Sequence, residues 1–410
     1  MAATGVGVRV RLGLGLAELV RDLRLDTEFE GDDTIIHLYH DRPGHRAIPR
    51  RETWKREKML GSGGYGEVWL EKQVENPSWL AVKQISAKCS QSIVDLCKVE
   101  LEAFAKFSRQ KYAKCFVQSS GWYEGPGFIS ISMEYCPKGD LNHYLAWRGK
   151  LPEDEVQDIV SQVVEGLHFM HGEGFVHRDL KPGNIIIKSS LLDDHWWVKL
   201  CDFGLSKRIG EGSGASTTVK GTAGFLAPEL FGFDGIDPRK VNRFAADIWS
   251  LGEMAFRILA GKATFPSVGR LRDYQLGTVA FPIEELHGVG TSELCISFIK
   301  TAMASEPKER FEAHQAMSHD WMKAQTYIML RRALYQGLRR TRQSLELNIP
   351  LLRRLVNGAL LRSHHSNLKQ ILDFRPDLLV QKGKPYILYV DSATHRTSSL
   401  PPVVSGKVSI

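Results

Sequence analysis

The sequence predicts an α+β chain in which a small, antiparallel β-rich lobe with one main helix precedes a larger, mainly helical lobe. Three observations carry this. Across residues 54–80 apolar and polar side chains alternate between glycines, as a β-hairpin requires. Residues 91–108 place Val94, Leu101, Phe104 and Phe107 at helical spacing. After Pro152 the residues Val156, Ile159, Val163, Leu167 and Met170 recur every three or four positions, and helix signals dominate from there to Trp321.

Taken in order, the chain opens with alternating Gly, Val and Leu and two early arginines. Its uncharged run over residues 12–17 is too short for a secretory apolar core, and acids begin at Glu18, so a strand or an unstructured leader is expected. Residues 34–39 alternate as one strand. Residues 42–51, with two prolines, a glycine and several charges, mark a linker. Residues 116–123 and 128–135 are two further strands around a Gly-Pro-Gly turn. Beyond Trp321 a basic amphipathic helix is expected over 326–342, another over 350–372 and a short strand at 385–390. The last twenty residues are rich in Ser, Thr and Pro, a composition that resists folding. The expected division is therefore 1–53, an extension and linker of unknown role; 54–322, the main domain; and 323–410, a basic tail.

A chain of 410 residues with 43% hydrophobic and 25% charged residues suits about two soluble domains. No apolar run approaches the roughly 18 residues that cross a bilayer. The six cysteines are scattered without a CxxC pair, which argues against a structural zinc site and for reduced thiols in the cytoplasm or nucleus. The net charge of +7 is uneven: −1 over residues 1–54, −3 over 55–322 and +11 over 323–410. A near-neutral main domain with a basic appendage does not read as an enzyme built around nucleic acid. For the tail, three roles stay open: a packed helical extension, a calmodulin-like or other partner-binding helix, or binding to an anionic surface. Its arginines are not interleaved with stacking aromatics, which disfavours nucleic acid.

The chemistry lies in residues 177–184, HRDLKPGN, and eighteen residues beyond Asn184 in Asp202-Phe203-Gly204. Phosphoryl transfer needs an aligned nucleophile, one or two Mg²⁺ ions held by oxygen ligands, and positive charge around the moving group. Asp179 suits the first task, Asn184 and Asp202 the second as Mg²⁺ ligands, and Lys181 part of the third. Upstream, residues 60–68 read LGSGGYGEV, where Gly61, Gly63 and Gly66 let backbone amides approach phosphate oxygens. Dinucleotide-binding folds share this pattern, but there the glycines open a helix, whereas here Val68-Trp69-Leu70 continues as strand. Ala81-Val82-Lys83 follows, and the predicted helix offers Glu100 and Glu102 as carboxylates for Lys83.

Together these motifs resemble the catalytic core of eukaryotic-type serine/threonine protein kinases, loosely the calcium/calmodulin-dependent and checkpoint branch, over roughly residues 55–322. The resemblance implies the two-lobed protein kinase fold and transfer of the γ-phosphate of Mg-ATP to Ser/Thr hydroxyls of protein substrates. It implies that Lys83 reaches the α- and β-phosphates and that Glu100 pairs with it, with Glu102 as the reverse assignment. Phe104 would then pack toward Phe203. Met133 would guard the back of the adenine pocket, Glu134 and Cys136 would line the hinge, and Val68, Ala81 and Ile186 would sandwich the base. Asp140 matches an acid that binds ribose and a basic residue three before the target, and Gly183 replaces the acid tied to a second basic requirement. Lys181 and Thr222 are serine/threonine signatures. Thr218 would be the activating phosphorylation site, with Arg178 as its partner, and Ser213, Ser216 and Thr217 share the same loop. Glu229 with Arg310, and Asp247, match structural braces. Cys201 would lie in the cleft as a small buried hydrophobe, reactive only if its pKa is depressed. The competing class is a pseudokinase or scaffold acting through its tail.

Overall fold

The computed structural model describes residues 17–31, 33–39, 50–63, 66–86, 91–190, 195–204, 206–208, 221–233 and 242–323. All of them fall in the first of two compact units, Met1–Leu334. The tail elements expected beyond residue 323, and the loop that includes Thr218, lie outside the described residues.

Alternation builds the first lobe. Strands β1 (Asp26–Glu30), β2 (Thr34–Tyr39), β3 (Arg50–Gly63), β4 (Gly66–Gln73), β5 (Trp79–Ser86), β6 (Ser119–Gly125) and β7 (Phe128–Glu134) form one antiparallel sheet in the order β1-β2-β3-β4-β5-β7-β6. A short helix, α1 (Glu18–Asp22), precedes β1, and the main helix α2 (Gln91–Phe107) follows β5. The strand expected at 34–39 is β2. Arg50 and Arg51, read from sequence as the end of a linker, instead begin β3, because they pair with Tyr39 and Leu38.

The two ends of this sheet meet. The Leu25 amide donates to the Trp122 carbonyl at 2.7 Å, and the Trp122 amide donates to the Leu23 carbonyl at 2.9 Å. The ends of the sheet are therefore joined by a bridge between Arg24 and Trp122. Strand register gives it two unlike faces. Val68, Ala81, Lys83, Ile131 and Met133 share the one that looks onto the cleft. Their neighbours fill the enclosed interior, where Ile35, Trp54, Leu80, Val82 and Tyr123 make a second core with Phe29 and Phe128 against it.

The second lobe is helical: α3 (Leu141–Arg148), α4 (Glu153–Gly172), α5 (Arg243–Ala260), α6 (Val268–Gln275), α7 (Glu284–His287), α8 (Glu293–Ala302) and α9 (Ala313–Met317). Short strands β8 (Phe175–Val176), β9 (Ile185–Ser189), β10 (Trp197–Leu200) and β11 (Lys207–Arg208) pair as β9 with β10 and β8 with β11. In α4 the predicted stripe of Val156, Ile159, Val163, Leu167 and Met170 is fully buried. β-Branched residues cost a helix a few tenths of a kcal/mol each. Full burial returns about 1.5–3 kcal/mol per side chain, so packing decides the conformation. Helix α5 starts at Asn242, whose side chain accepts from the Phe244 and Ala245 amides, and ends at left-handed Gly261.

Candidate active site

At the end of the β3–β4 pairing, Gly63 and Gly66 are cross-strand partners. Gly66 has φ +138°, and a Cβ there would lie 2.1 Å from the Gln84 carbonyl oxygen, so this position requires glycine. Gly61 and Gly63 have open space around them. The register then sets Val68 opposite Lys83 and Ala81 opposite Met133, while Ile186 forms a bridge with Asp140 from the second lobe. Every candidate for the adenine sandwich thus borders the cleft between the lobes.

Lys83 is nearly buried, and its ammonium group donates to Glu100 at 2.5 Å and to Asp202 at 2.7 Å. Burial opposes the charged lysine, yet the two carboxylates outweigh it and hold its pKa above the ordinary value. Burial likewise pushes Glu100 up, against the pull of Lys83. Asp202 stays below the usual carboxylate range, since Lys83 overcomes its partial burial. Between Glu100 and Glu102, then, the structure brings Glu100 to the lysine.

Among the described residues, two that are not glycine adopt left-handed backbone, Arg178 at φ 70° and Asp202 at φ 62°. Both lie in the candidate site, and functional sites commonly store such strain. Asp247 on α5 sustains the first by accepting the His177 and Arg178 amides, each at 2.8 Å. Asp202 is held by Lys83 and by Phe203, which is fully buried and meets Phe104 edge-on at 5.0 Å between ring centroids. Phe107 and Phe116 complete that aromatic nest, a contribution no sequence pattern announced.

Asp179 is clasped on both oxygens. Thr222 donates to Oδ1 through its amide and its hydroxyl, both at 2.8 Å. Lys181 donates to Oδ2 at 2.7 Å and to the Thr222 hydroxyl at 2.7 Å. Asn184 donates through its amide nitrogen to the Asp179 carbonyl at 2.7 Å. That orientation leaves the Asn184 Oδ1 for a cation, and both donors to Asp202 fall on Oδ1, leaving Oδ2. Two hard oxygens of this kind suit Mg²⁺ shared with phosphate oxygens.

At the hinge, Met133 and Cys136 are buried. The Glu134 carboxylate accepts from Lys188 at 2.7 Å, from the Gln118 amide at 3.0 Å and from buried Lys199. This tie between β7 and the β9–β10 hairpin was not foreseen; a lone lysine inside the apolar run Trp197-Val198-Lys199-Leu200 was its available signal. Asp140 caps α3 by accepting the His143 amide at 2.8 Å. Burial pushes the Cys201 thiol well above its ordinary value, so the condition for a reactive cysteine is not met. Farther off, Arg310 grips Glu229 through two 2.8 Å bonds in the buried floor of the large lobe.

Residues 54–322 match the family described as "Protein kinase domain". A calcium/calmodulin-dependent protein kinase type 1 of Caenorhabditis elegans is 28% identical over 294 residues, 70% of this chain and 80% of the relative. Serine/threonine-protein kinase cds1 of Schizosaccharomyces pombe is 30% identical over 295 residues, 70% of this chain and 62% of the relative. A crystal structure of Rad53 in complex with AMP-PNP has a TM-score of 0.53 at 26% identity, covering 66% of this chain and 65% of that one. Among the described residues no helix is long and apolar enough to cross a membrane.

Proposed function

The chain belongs to the protein kinase family and is an ATP-binding serine/threonine protein kinase acting on protein substrates, and we propose that its residues divide the reaction as follows. Asp179 orients the acceptor hydroxyl and takes its proton. Lys181, bonded to both Asp179 and Thr222, steadies that carboxylate and faces the transferred phosphoryl group with positive charge. Lys83, fixed by Glu100, positions the nucleotide phosphates. Mg²⁺ on Asn184 and Asp202 would neutralise phosphate charge. The observation that carries this reading is the Lys83 ammonium shared between Glu100 and Asp202 while Phe203 is buried beneath Phe104.

The test is phosphorylation of a position-scanned peptide library with Mg-ATP, using Asp202→Asn as the blank. Incorporation on Ser and Thr peptides that vanishes in the blank supports the assignment; equal signal in the blank overturns it. A preference for arginine three before the target, lost in Asp140→Ala, would assign that specificity to Asp140. For regulation we propose phosphorylation of Thr218 with Arg178 as partner, to be checked by a several-fold loss of activity in Thr218→Ala. For residues 326–342 we propose a calmodulin-like partner, on the basis of the basic amphipathic pattern and the similarity to a calcium/calmodulin-dependent kinase. Activity unchanged by calcium and calmodulin would remove it. The free cysteines among the described residues accord with a reducing compartment, cytoplasm or nucleus.

A further inference from the structure

We propose that residues 17–39, which precede the kinase-domain match, act as an intramolecular cap that positions α2 and, through it, Glu100. The segment is built into the catalytic lobe at three places. First, α1 lies against α2, and Val20, 1% exposed, belongs to the same core as Leu101 and Phe104, with Leu19 and Leu23 packed on it. Second, the Trp122 indole donates to the Val20 carbonyl at 2.7 Å, while its backbone bonds to Leu23 and Leu25. Arg24 adds an ion pair to Glu124 at 2.9 Å and lies over the Trp122 ring. Third, β6 is shaped around the cap. Gly121 has φ +141°, and a Cβ there would meet Leu25 Cγ at 2.7 Å and the Leu23 carbonyl oxygen at 2.8 Å. Only glycine lets the cap dock.

The same helix, α2, delivers two groups to the chemistry. Glu100 holds Lys83, and Phe104 holds Phe203 beside Asp202. Both contacts depend on where the helix axis lies. A displacement of about 1 Å in a catalytic group costs on the order of 100-fold in rate. The cap packs against α2, so releasing it frees the helix to move. Val20, Leu23 and Gly121 are accordingly positioning residues, since none touches nucleotide or acceptor. The inference rests on Glu100 being the partner of Lys83 in the reaction.

The test uses the full chain with two independent disruptions, Val20→Asp from the cap side and Gly121→Val from the sheet side. Val20→Ser is the milder variant if either fails to fold, and Val20→Ile is the conservative control. Two readouts are taken well below the melting temperature: kcat and KM for ATP, and peptide-resolved alkylation of Cys97, which sits on α2 at 2% exposure. Expected is a fall of about 10- to 100-fold in kcat, with Cys97 becoming reactive, and neither change in Val20→Ile. Amide exchange at Leu25 and Trp122 reports release of the cap. Release with Cys97 still protected overturns the proposal, whether or not activity falls. Release with α2 loosened and kcat unchanged overturns it as well. Because alkylation does not depend on turnover, an inactive wild type would refute the catalytic assignment while leaving this question answerable.

Discussion

The two faces of the first-lobe sheet bury charge in opposite ways. On the cleft face, Lys83 meets Glu100 and Asp202 at hydrogen-bonding distance. On the enclosed face, one residue along the same strands, Glu71 is fully buried and neither of its oxygens has a hydrogen-bond partner; the nearest charge, Arg56, is 3.9 Å away. His37 Nε2, Trp54 Nε1 and Ser132 Oγ are also without partners there. Burial pushes Glu71 up to about 7 and His37 down to about 4. In the first cluster every charge has a partner at hydrogen-bonding distance. The second bears polar groups in a place that rewards apolar ones. The difference teaches that burial alone does not mark a site; partnering does.

Substitutions that treat the two faces alike should therefore give opposite results. Glu100→Gln is expected to lower kcat by about 100-fold, because Lys83 then swings to Asp202 alone; steady-state kinetics decides this, and near-normal kcat would mean the pair is ornamental. Glu71→Leu should raise the stability of the lobe by about 1–3 kcal/mol, with kcat unchanged. Chemical denaturation measures it, and a loss of stability would show that Glu71 has a partner after all. The pH dependence carries the same contrast at smaller scale. Glu71, raised from 4.5 to about 7, contributes stability that is full below pH 4.5 and lost as pH rises through about 7. His37, lowered from 6.5 to about 4, contributes stability that is full above pH 6.5 and lost as pH falls through about 4. Melting temperature should peak at mildly acidic pH, and the alkaline decline should flatten in Glu71→Leu. The smallest effect is expected for Ser132→Ala, a gain below about 1 kcal/mol from removing an unpaired hydroxyl.

Much of the site was legible along the chain because its residues lie in short motifs. Asp179, Lys181 and Asn184 fall within six positions, and Phe104 follows Glu100 by one helical turn. Legibility failed where partners are far apart in sequence. The bond from Trp122 to Val20 spans 102 residues and leaves no periodic trace. Glu134 recruits Lys188 and Lys199 across 54 and 65 residues, and only the lysine inside the apolar run 197–200 hints at it. Glu71, polar in an alternating strand, would be expected outside; the closing strands turned that outside into an interior.

What the sequence determined by itself is therefore local: strand alternation, helical stripes, the glycine at Gly66 and the order of the phosphoryl-transfer residues. These follow from backbone sterics and side-chain periodicity over a few residues. The bridging of the sheet's ends by residues 17–39, the positive φ of Arg178 and Asp202, and the unpaired interior around Glu71 were decided only by tertiary structure. Each depends on groups brought together from distant positions, and no local rule carries that information.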